Sequence, residues 1–195
     1  MMKIAISSGI LAVLLAAGTA AAASPTETVQ SAAQEVFSSQ SGSAVKTMST
    51  AARRADVRKI IEALFDFKEM SERSLGSAWT QASPAQQQEF VRLFSTLIAN
   101  AYLSRMEQYN NEPIEYVSEK VEGDEASVQS RVLTPKGSDI GLDYKLYRTD
   151  GRWHVYDIFV DGISLVGSYK AQFHRIIQRG SFADLLKTLR EKVGS

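Results

Sequence analysis

The sequence predicts an α+β fold, with one curved four-stranded antiparallel sheet and helices before and after it. Three observations predict this class. Apolar residues recur at helical spacing up to about residue 110, the pattern alternates like strands from residue 112, and helical spacing returns after Gly162. The connections between the strand-like segments are short, so neighbouring strands must run antiparallel. Helices that are segregated from strands in this way pack on one side of the sheet.

The first 23 residues predict a secretory signal peptide that is cleaved near Ala23. Lys3 precedes an apolar run at residues 4–17, and small residues follow with the A-x-A spacing of a cleavage site at Ala21 and Ala23. The apolar run is shorter than the roughly 20 residues that span a bilayer. The chain has no cysteine, so it offers no thiol for a lipoprotein anchor and no disulfide.

Cleavage after Ala23 leaves 24–195 as a single domain, with helical parts at 26–110 and 163–193 and a sheet part at 112–161. The whole chain carries 22 basic and 22 acidic residues, and removal of Lys3 leaves 21 against 22. This near-zero charge provides no basic field for nucleic acid.

The first two helices are predicted from apolar stripes. Residues 26–39 and 50–64 each repeat apolar side chains at i, i+3, i+4 and i+7. The second of them carries its cations on what we interpret as a solvated face: Arg53, Arg54, Arg58 and Lys59.

The next two helices are predicted from their start signals. Asp66 caps a short helix that Gly76 ends. Ser83 caps the long helix, Pro84 takes its first position and Gln86 completes a capping box. We expect this long helix to run to about Tyr109.

The sheet and the closing helices follow from the remaining pattern. Four segments read as strands, joined by turn sequences: PIEYVSEKV, EASVQSRVL, DIGLDYKLY and RWHVYDIFV. Two helices come after Gly162, and Ser181 caps the second of them.

The sequence offers few residues in catalytic arrangements. His154 and His174 are too few for a zinc site, no serine lies in a G-x-S-x-G elbow, and no glycine-rich phosphate loop is present. Asp157 and Asp161 lie four residues apart in a strand, which predicts that they share a face. We favour a structural role, with Asp157 buried against backbone or arginine donors and Asp161 capping the strand end.

The last strand is apolar on both faces. Simple alternation places Trp153, Val155 and Phe159 on one face and Tyr156, Ile158 and Val160 on the other. Helices covering both sides would explain this pattern, and so would a cavity, and composition does not separate the two.

Several stretches resemble the MlaC family of periplasmic lipid carriers, also called toluene-tolerance proteins. They are FDFKEMSERSLGSAW, SPAQQQEFVRLFSTLIANAY and GRWHVYDIFVDGISLVGSYKAQFHRII, followed by a final LLKTLREK helix. The segment W-x-V-Y-D-x-x-x-x-G-x-S-L is the most specific of them, and the match covers most of the predicted mature chain.

The resemblance implies an α+β fold whose helices and sheet enclose an apolar pocket for phospholipid tails, in a periplasmic protein that is not an enzyme. Its implied partners are the substrate-binding subunit of an inner-membrane ABC transporter and an outer-membrane lipoprotein complex. Phospholipid is the cargo, and no cofactor or metal is expected. A similar branch is associated with hopanoid transport, and the motifs do not separate the two branches.

We expect a set of mainly apolar residues to line the pocket: Leu75, Trp79, Ile98, Tyr102, Met106, Leu146, Val155, Ile158, Val160, Ile163, Leu165, Val166 and Tyr169. The hydroxyls of Tyr102 and Tyr169 suit a position near the head group, and Arg105 is a candidate for the phosphate. Asp157 is expected to fix the corner between the strand and the next helix. An enzyme with Asp157 as general base and Tyr144 as oxyanion partner is the alternative from a different class.

Overall fold

The computed structural model describes residues 23–40, 49–106, 112–135 and 137–194, without the side chains of Gln40 and residues 102–106. Residues 1–22 of the predicted signal peptide, and the predicted end of the long helix at Tyr109, lie outside the described residues.

Five helices precede the sheet and two follow it. In chain order they are α1 (Pro25–Gln40), α2 (Thr50–Leu64), α3 (Phe67–Leu75), α4 (Ser77–Gln81), α5 (Pro84–Met106), α6 (Leu165–Arg179) and α7 (Phe182–Gly194). The short α4 is an addition to the prediction, because only a single turn at Gly76 separates it from α3.

The predicted helix starts are confirmed by hydrogen bonds. Asp66 accepts from the Glu69 N–H (2.9 Å) at the start of α3. The capping box of α5 is reciprocal: Gln86 N–H donates to Ser83 Oγ (3.3 Å), and Ser83 N–H donates to Gln86 Oε1 (2.9 Å). Gly76 ends α3 at φ 56 and ψ −128, a conformation that is open almost only to glycine.

The sheet is antiparallel in the order of the sequence: β1 (Ile114–Glu122), β2 (Glu125–Val132), β3 (Ile140–Thr149), β4 (Arg152–Val160) and β5 (Ile163–Ser164). The prediction of four strands is corrected to five. The chain reverses at Asp161 and Gly162, and the next two residues pair back onto β4 before α6 begins. A two-residue strand has no periodicity of its own, so the sequence pattern did not reveal it.

A β-bulge corrects the predicted faces of β4. Leu146 pairs with Val155 and Lys145 pairs with Asp157, which leaves Tyr156 without a partner. Trp153, Val155, Ile158 and Val160 therefore share the face of Leu146, and Asp157 and Phe159 lie on the opposite face. Strict alternation fails here because one inserted residue reverses the sides of all later residues.

One hydrophobic core joins the helices to one face of the sheet, which we call the inner face. Helix α1 lies against β1 and β2, whereas α2, α3 and α6 lie against β4, and α5 packs on α7, α3 and α2. The phenylalanines at the centre of the helical layer contact each other edge to face: Phe90 and Phe94 both meet Phe173 at a centroid distance of 5.3 Å. None of the helices within the described ranges is long and apolar enough to cross a membrane.

Candidate functional site

The pairing of the strands arranges the inner face in transverse rows. Ala126, Leu146 and Val155 form a row that we call the closed end. A middle row contains Val128, Tyr144 and Ile158. At the other end lie Leu142, Val160 and Ile163, with Ile140 two residues beyond Leu142, and we call these four residues the rim.

Along β3, β4 and β5 the exposure of the inner-face residues rises from the closed end to the rim, whereas Val128, Ser130 and Val132 on β2 stay buried. Leu146 and Val155 are 0% exposed, and Ile158 in the middle row is 9% exposed. Leu142 and Val160 are half-buried, while Ile140 reaches 39% and Ile163 67%. An apolar wall that is sealed at one end and open at the other is the surface on which an extended hydrocarbon chain would find apolar neighbours.

Most of the predicted pocket residues belong to, or pack against, the one hydrophobic core that includes this wall. Leu75, Ile98, Leu146, Val155, Ile158 and Val166 are buried members of the one core, and Trp79, Val160, Leu165 and Tyr169 pack against it half-buried. Ile163 stands apart as an exposed residue at the rim. The side chains of Tyr102, Met106 and Arg105 lie outside the described residues.

Leu146 and Val155 lie at the closed end, where no surface is left exposed for a guest. These two residues remain predicted lining residues, but their complete burial makes them the floor of the wall. Three half-buried apolar residues that were not among the predicted pocket residues pack against the same core: Leu142, Tyr116 and Leu97. Alternation along β1 and β3 was the available signal for Tyr116 and Leu142, whose side chains point to the same face as Tyr144.

Two tyrosines place hydroxyl groups on half-buried positions of this region. Burial raises the pKa of both Tyr116 and Tyr169 above the ordinary value of 10.0. Both phenols therefore stay neutral at physiological pH and keep their O–H as a donor. Tyr169 is held by Phe173, which stacks on it at 5.4 Å, and by Phe94, which meets it edge to face at 5.1 Å.

Asp157 fixes the corner at which β4 passes into α6, as the sequence predicted. Its Oδ1 accepts the N–H groups of Ile158 (2.8 Å) and Val166 (3.0 Å), and its Oδ2 accepts the hydroxyl of Ser164 (2.5 Å). Ser164 is itself the N-cap of α6 and accepts the Gly167 N–H at 2.8 Å. A buried carboxylate needs such donors, and here the turn of the chain supplies them.

Asp161 has a separate role, so the prediction that it shares a strand face with Asp157 is wrong. It lies beyond the end of β4 with φ 48, and its Oδ1 accepts the Gly141 N–H at 2.9 Å. Its own N–H donates to the Gly141 carbonyl oxygen (2.9 Å). This reciprocal pair joins β3 to the turn directly behind the rim.

On the outer face, Asp66 ties α3 to the sheet. The Tyr147 hydroxyl donates to Asp66, whose own backbone N–H donates to the Val155 carbonyl oxygen at 3.0 Å. Burial alone would raise the Asp66 pKa, but the Tyr147 hydroxyl and backbone N–H groups outweigh it and lower the pKa below 3.8. Arg73 adds a second tie, with its guanidinium 3.9 Å from the centre of the Tyr156 ring.

The catalytic pairing of Asp157 with Tyr144 is contradicted by the register of the sheet. Tyr144 pairs with Ile158 on the inner face, whereas Asp157 pairs with Lys145 on the outer face, so their side chains point to opposite sides. Among the residues that the structure describes, no three histidine, aspartate or glutamate side chains gather to hold a metal ion.

The chain resembles known proteins in family, sequence and structure. The model of the MlaC protein family matches residues 30–191. The intermembrane phospholipid transport system binding protein MlaC of Haemophilus influenzae is 28% identical over 164 residues, which cover 80% of this chain and 77% of that protein. Toluene tolerance protein Ttg2D of Pseudomonas putida is 31% identical over 110 residues, which cover 56% of this chain and about half (51%) of the relative.

A solved structure has the same fold. It is the phospholipid-binding protein of Ralstonia solanacearum in complex with a phospholipid, with a TM-score of 0.76 and 28% identity over 86% of this chain and 95% of that one. Because the family match extends over residues 30–191, most of the chain, this protein belongs to the MlaC family.

Proposed function

We propose that this protein is a periplasmic carrier that holds the acyl chains of a phospholipid on the inner face of its sheet. The observation that carries the proposal is the rise in exposure from Val155 at 0% to Ile163 at 67% along one apolar wall. The Ralstonia solanacearum neighbour, described as a phospholipid-binding protein in complex with a phospholipid, supports the choice of ligand.

The energetics of lipid transfer explain why such a wall is useful. Each methylene exposed to water costs about 0.8 kcal/mol, so a 16-carbon chain costs about 12 kcal/mol when it leaves a bilayer alone. A carrier that offers an equally dry surface lowers this barrier. The tails would lie between the rim and the closed end, with the head group outside in water.

The proposed route runs between the two membranes of the cell envelope. The predicted signal peptide directs the chain to the periplasm. The Haemophilus influenzae relative, named as a binding protein of an intermembrane phospholipid transport system, supports a shuttle. The proposed partners are the substrate-binding subunit of an inner-membrane ABC transporter and an outer-membrane lipoprotein complex.

We propose a carrier that performs no chemistry on its cargo. Both oxygens of Asp157 are engaged by donors of the chain's own corner, and Tyr144 points to the other side of the sheet. The carboxylate therefore serves the fold at the place where an enzyme would need a base.

Mass spectrometry of lipid bound to protein that is purified without detergent tests the proposal. We expect a stoichiometric phospholipid, and a spectrum dominated by hopanoid would replace the ligand class. A preparation that carries no lipid from native membranes would reject the carrier function.

Substitutions at the rim test where the lipid lies. Val160→Glu places a carboxylate on the half-buried part of the wall, and we expect it to reduce the bound lipid severalfold, because burying an unpaired charge is costly. Val117→Glu is the matched control, since Val117 is 51% exposed on β1 at a bulge. Equal lipid content in the two variants would remove the rim from the site.

A further inference from the structure

The exposed side of α6 carries three cations and no carboxylate. Between Asp161 and Asp184 the chain contains no carboxylate, whereas Lys170, Arg175 and Arg179 are all exposed. Together with Ile163, which directly precedes the helix cap, these three cations define what we call the α6 surface.

The three cations of the α6 surface form no ion pair with any residue that the structure describes. Cations elsewhere do form such pairs: on the neighbouring α3, Lys68 pairs with Glu72 and Arg73 with Glu69 at 2.7 Å. Helix α3 packs directly on α6, and its own carboxylates are already engaged. The carboxylates of α3 therefore do not cancel the positive charge of the α6 surface.

The α6 surface begins at the rim of the candidate lipid site. Ile163 pairs with Val160 in the last row of the inner face and is the most exposed large apolar residue in the described structure, at 67%. Ser164 caps α6 directly after it, so the cationic helix continues from the point where the apolar wall opens. A partner that covers this surface also meets the edge across which a lipid tail must pass.

We propose that the α6 surface docks on the anionic head groups of a phospholipid bilayer, which brings the rim against the membrane from which cargo enters or leaves. This proposal rests on the carrier function. A protein interface of useful strength is centred on buried aromatic or arginine anchors in pockets. Arg175 and Arg179 are exposed, and Lys170 lies at the other border of the exposed side of α6, so the charge is spread out, which suits a diffuse layer of phosphates better than a shaped partner.

The charge of the α6 surface fits a contact that must also be released. Each cation near an anionic membrane strengthens binding about fivefold, so the three cations give at most roughly a hundredfold, if all of them reach the head groups together. Salt removes most of this gain, because at 1 M salt the Debye length is only about 3 Å. A carrier that has to leave the membrane with its cargo needs this kind of reversible attachment.

Vesicle flotation tests the proposal directly. The wild-type protein is mixed with vesicles of phosphatidylcholine alone, or with vesicles that also contain phosphatidylglycerol, at low salt and at about 1 M salt. The Lys170→Glu/Arg175→Glu variant reverses two charges of the α6 surface. The Lys59→Glu/Lys120→Glu variant makes the same change in net charge on α2 and β1, where both lysines are exposed.

We expect the wild-type protein to float with the phosphatidylglycerol vesicles at low salt only. The α6 variant should lose at least tenfold of this binding, and the control variant should keep most of it. Equal losses in both variants would reduce the effect to net charge and overturn the proposal. Wild-type protein that floats no better with phosphatidylglycerol than without it would also overturn it and would point to an acidic protein as the partner of this surface.

Bound lipid is measured in the same preparations so that the two proposals fail separately. The α6 variant should retain the lipid content of the wild type, because its substitutions lie outside the wall. A protein that carries no lipid would reject the carrier function, whatever the flotation result.

Discussion

Replacing Asp157 by alanine should destabilise the protein more than any other single aspartate substitution at the sheet. The change leaves the N–H groups of Ile158 and Val166 and the hydroxyl of Ser164 without their acceptor. A buried donor without a partner costs about 1–3 kcal/mol, and water reaches this corner only partly, so we expect a loss of roughly 3 kcal/mol.

Asp157→Asn is the informative companion, because it keeps one oxygen. The asparagine oxygen can still accept both backbone N–H groups that meet at Oδ1, while the amide nitrogen faces Ser164. Ser164 must then turn its own proton elsewhere, which costs about 1 kcal/mol. Asp143→Ala on β3 serves as a control, since this half-buried carboxylate forms no side-chain hydrogen bond or ion pair with a described residue and its loss should change stability by less than about 0.5 kcal/mol.

Urea unfolding followed by far-ultraviolet circular dichroism measures the three free energies of unfolding. The proteins must first be freed of lipid, because a ligand bound to the native state adds its own stabilisation. The expected order of loss is Asp157→Ala, then Asp157→Asn, then Asp143→Ala, with unchanged dependence on urea concentration. If Asp157→Ala costs no more than the asparagine variant, the three donors do not depend on this carboxylate and the reasoning fails.

Three further substitutions probe other parts of the fold. Asp66→Ala removes the cap of α3 and the acceptor of Tyr147 and should cost about 1–2 kcal/mol near neutral pH. Because the native pKa of Asp66 lies below 3.8, the difference in unfolding free energy between the variant and the wild type should shrink as acid protonates the native carboxyl. A difference that stays constant down to pH 2, about two units below the ordinary pKa, would contradict this. Gly76→Ala forces a Cβ into φ 56, ψ −128 and should cost about 1–3 kcal/mol in thermal unfolding; an unchanged melting temperature would show that the turn relaxes. Leu146→Ala at the closed end should cost about 2–5 kcal/mol of stability, and the protein should keep its bound lipid. Loss of lipid with unchanged stability would show that the lipid site includes the closed end.

Features that depend on neighbours along the chain were predictable. The caps at Asp66 and Ser83 and the stop at Gly76 each involve partners within four residues, and the structure confirms all three. The strands also lie where alternation and turn residues placed them, since their connections are short.

Features that depend on pairing across the sheet were less accessible. The bulge at Tyr156 and the two-residue β5 carry no periodic signal, and both change which side chains share a face. The candidate site was therefore predicted as a set of apolar residues, without the order that runs from the buried Val155 to the exposed Ile163.

The sequence by itself determined the order of six helices and of the first four strands, the family, and the expectation that Asp157 holds the corner before α6. Only the tertiary structure decided which apolar residues form the floor and which form the rim, and that the helix whose cations form no ion pair with a described residue, α6, begins beside that rim. The physical reason is one of range. Caps and periodicity are satisfied within a few residues, whereas burial and charge compensation depend on distant segments that meet only when the chain is folded.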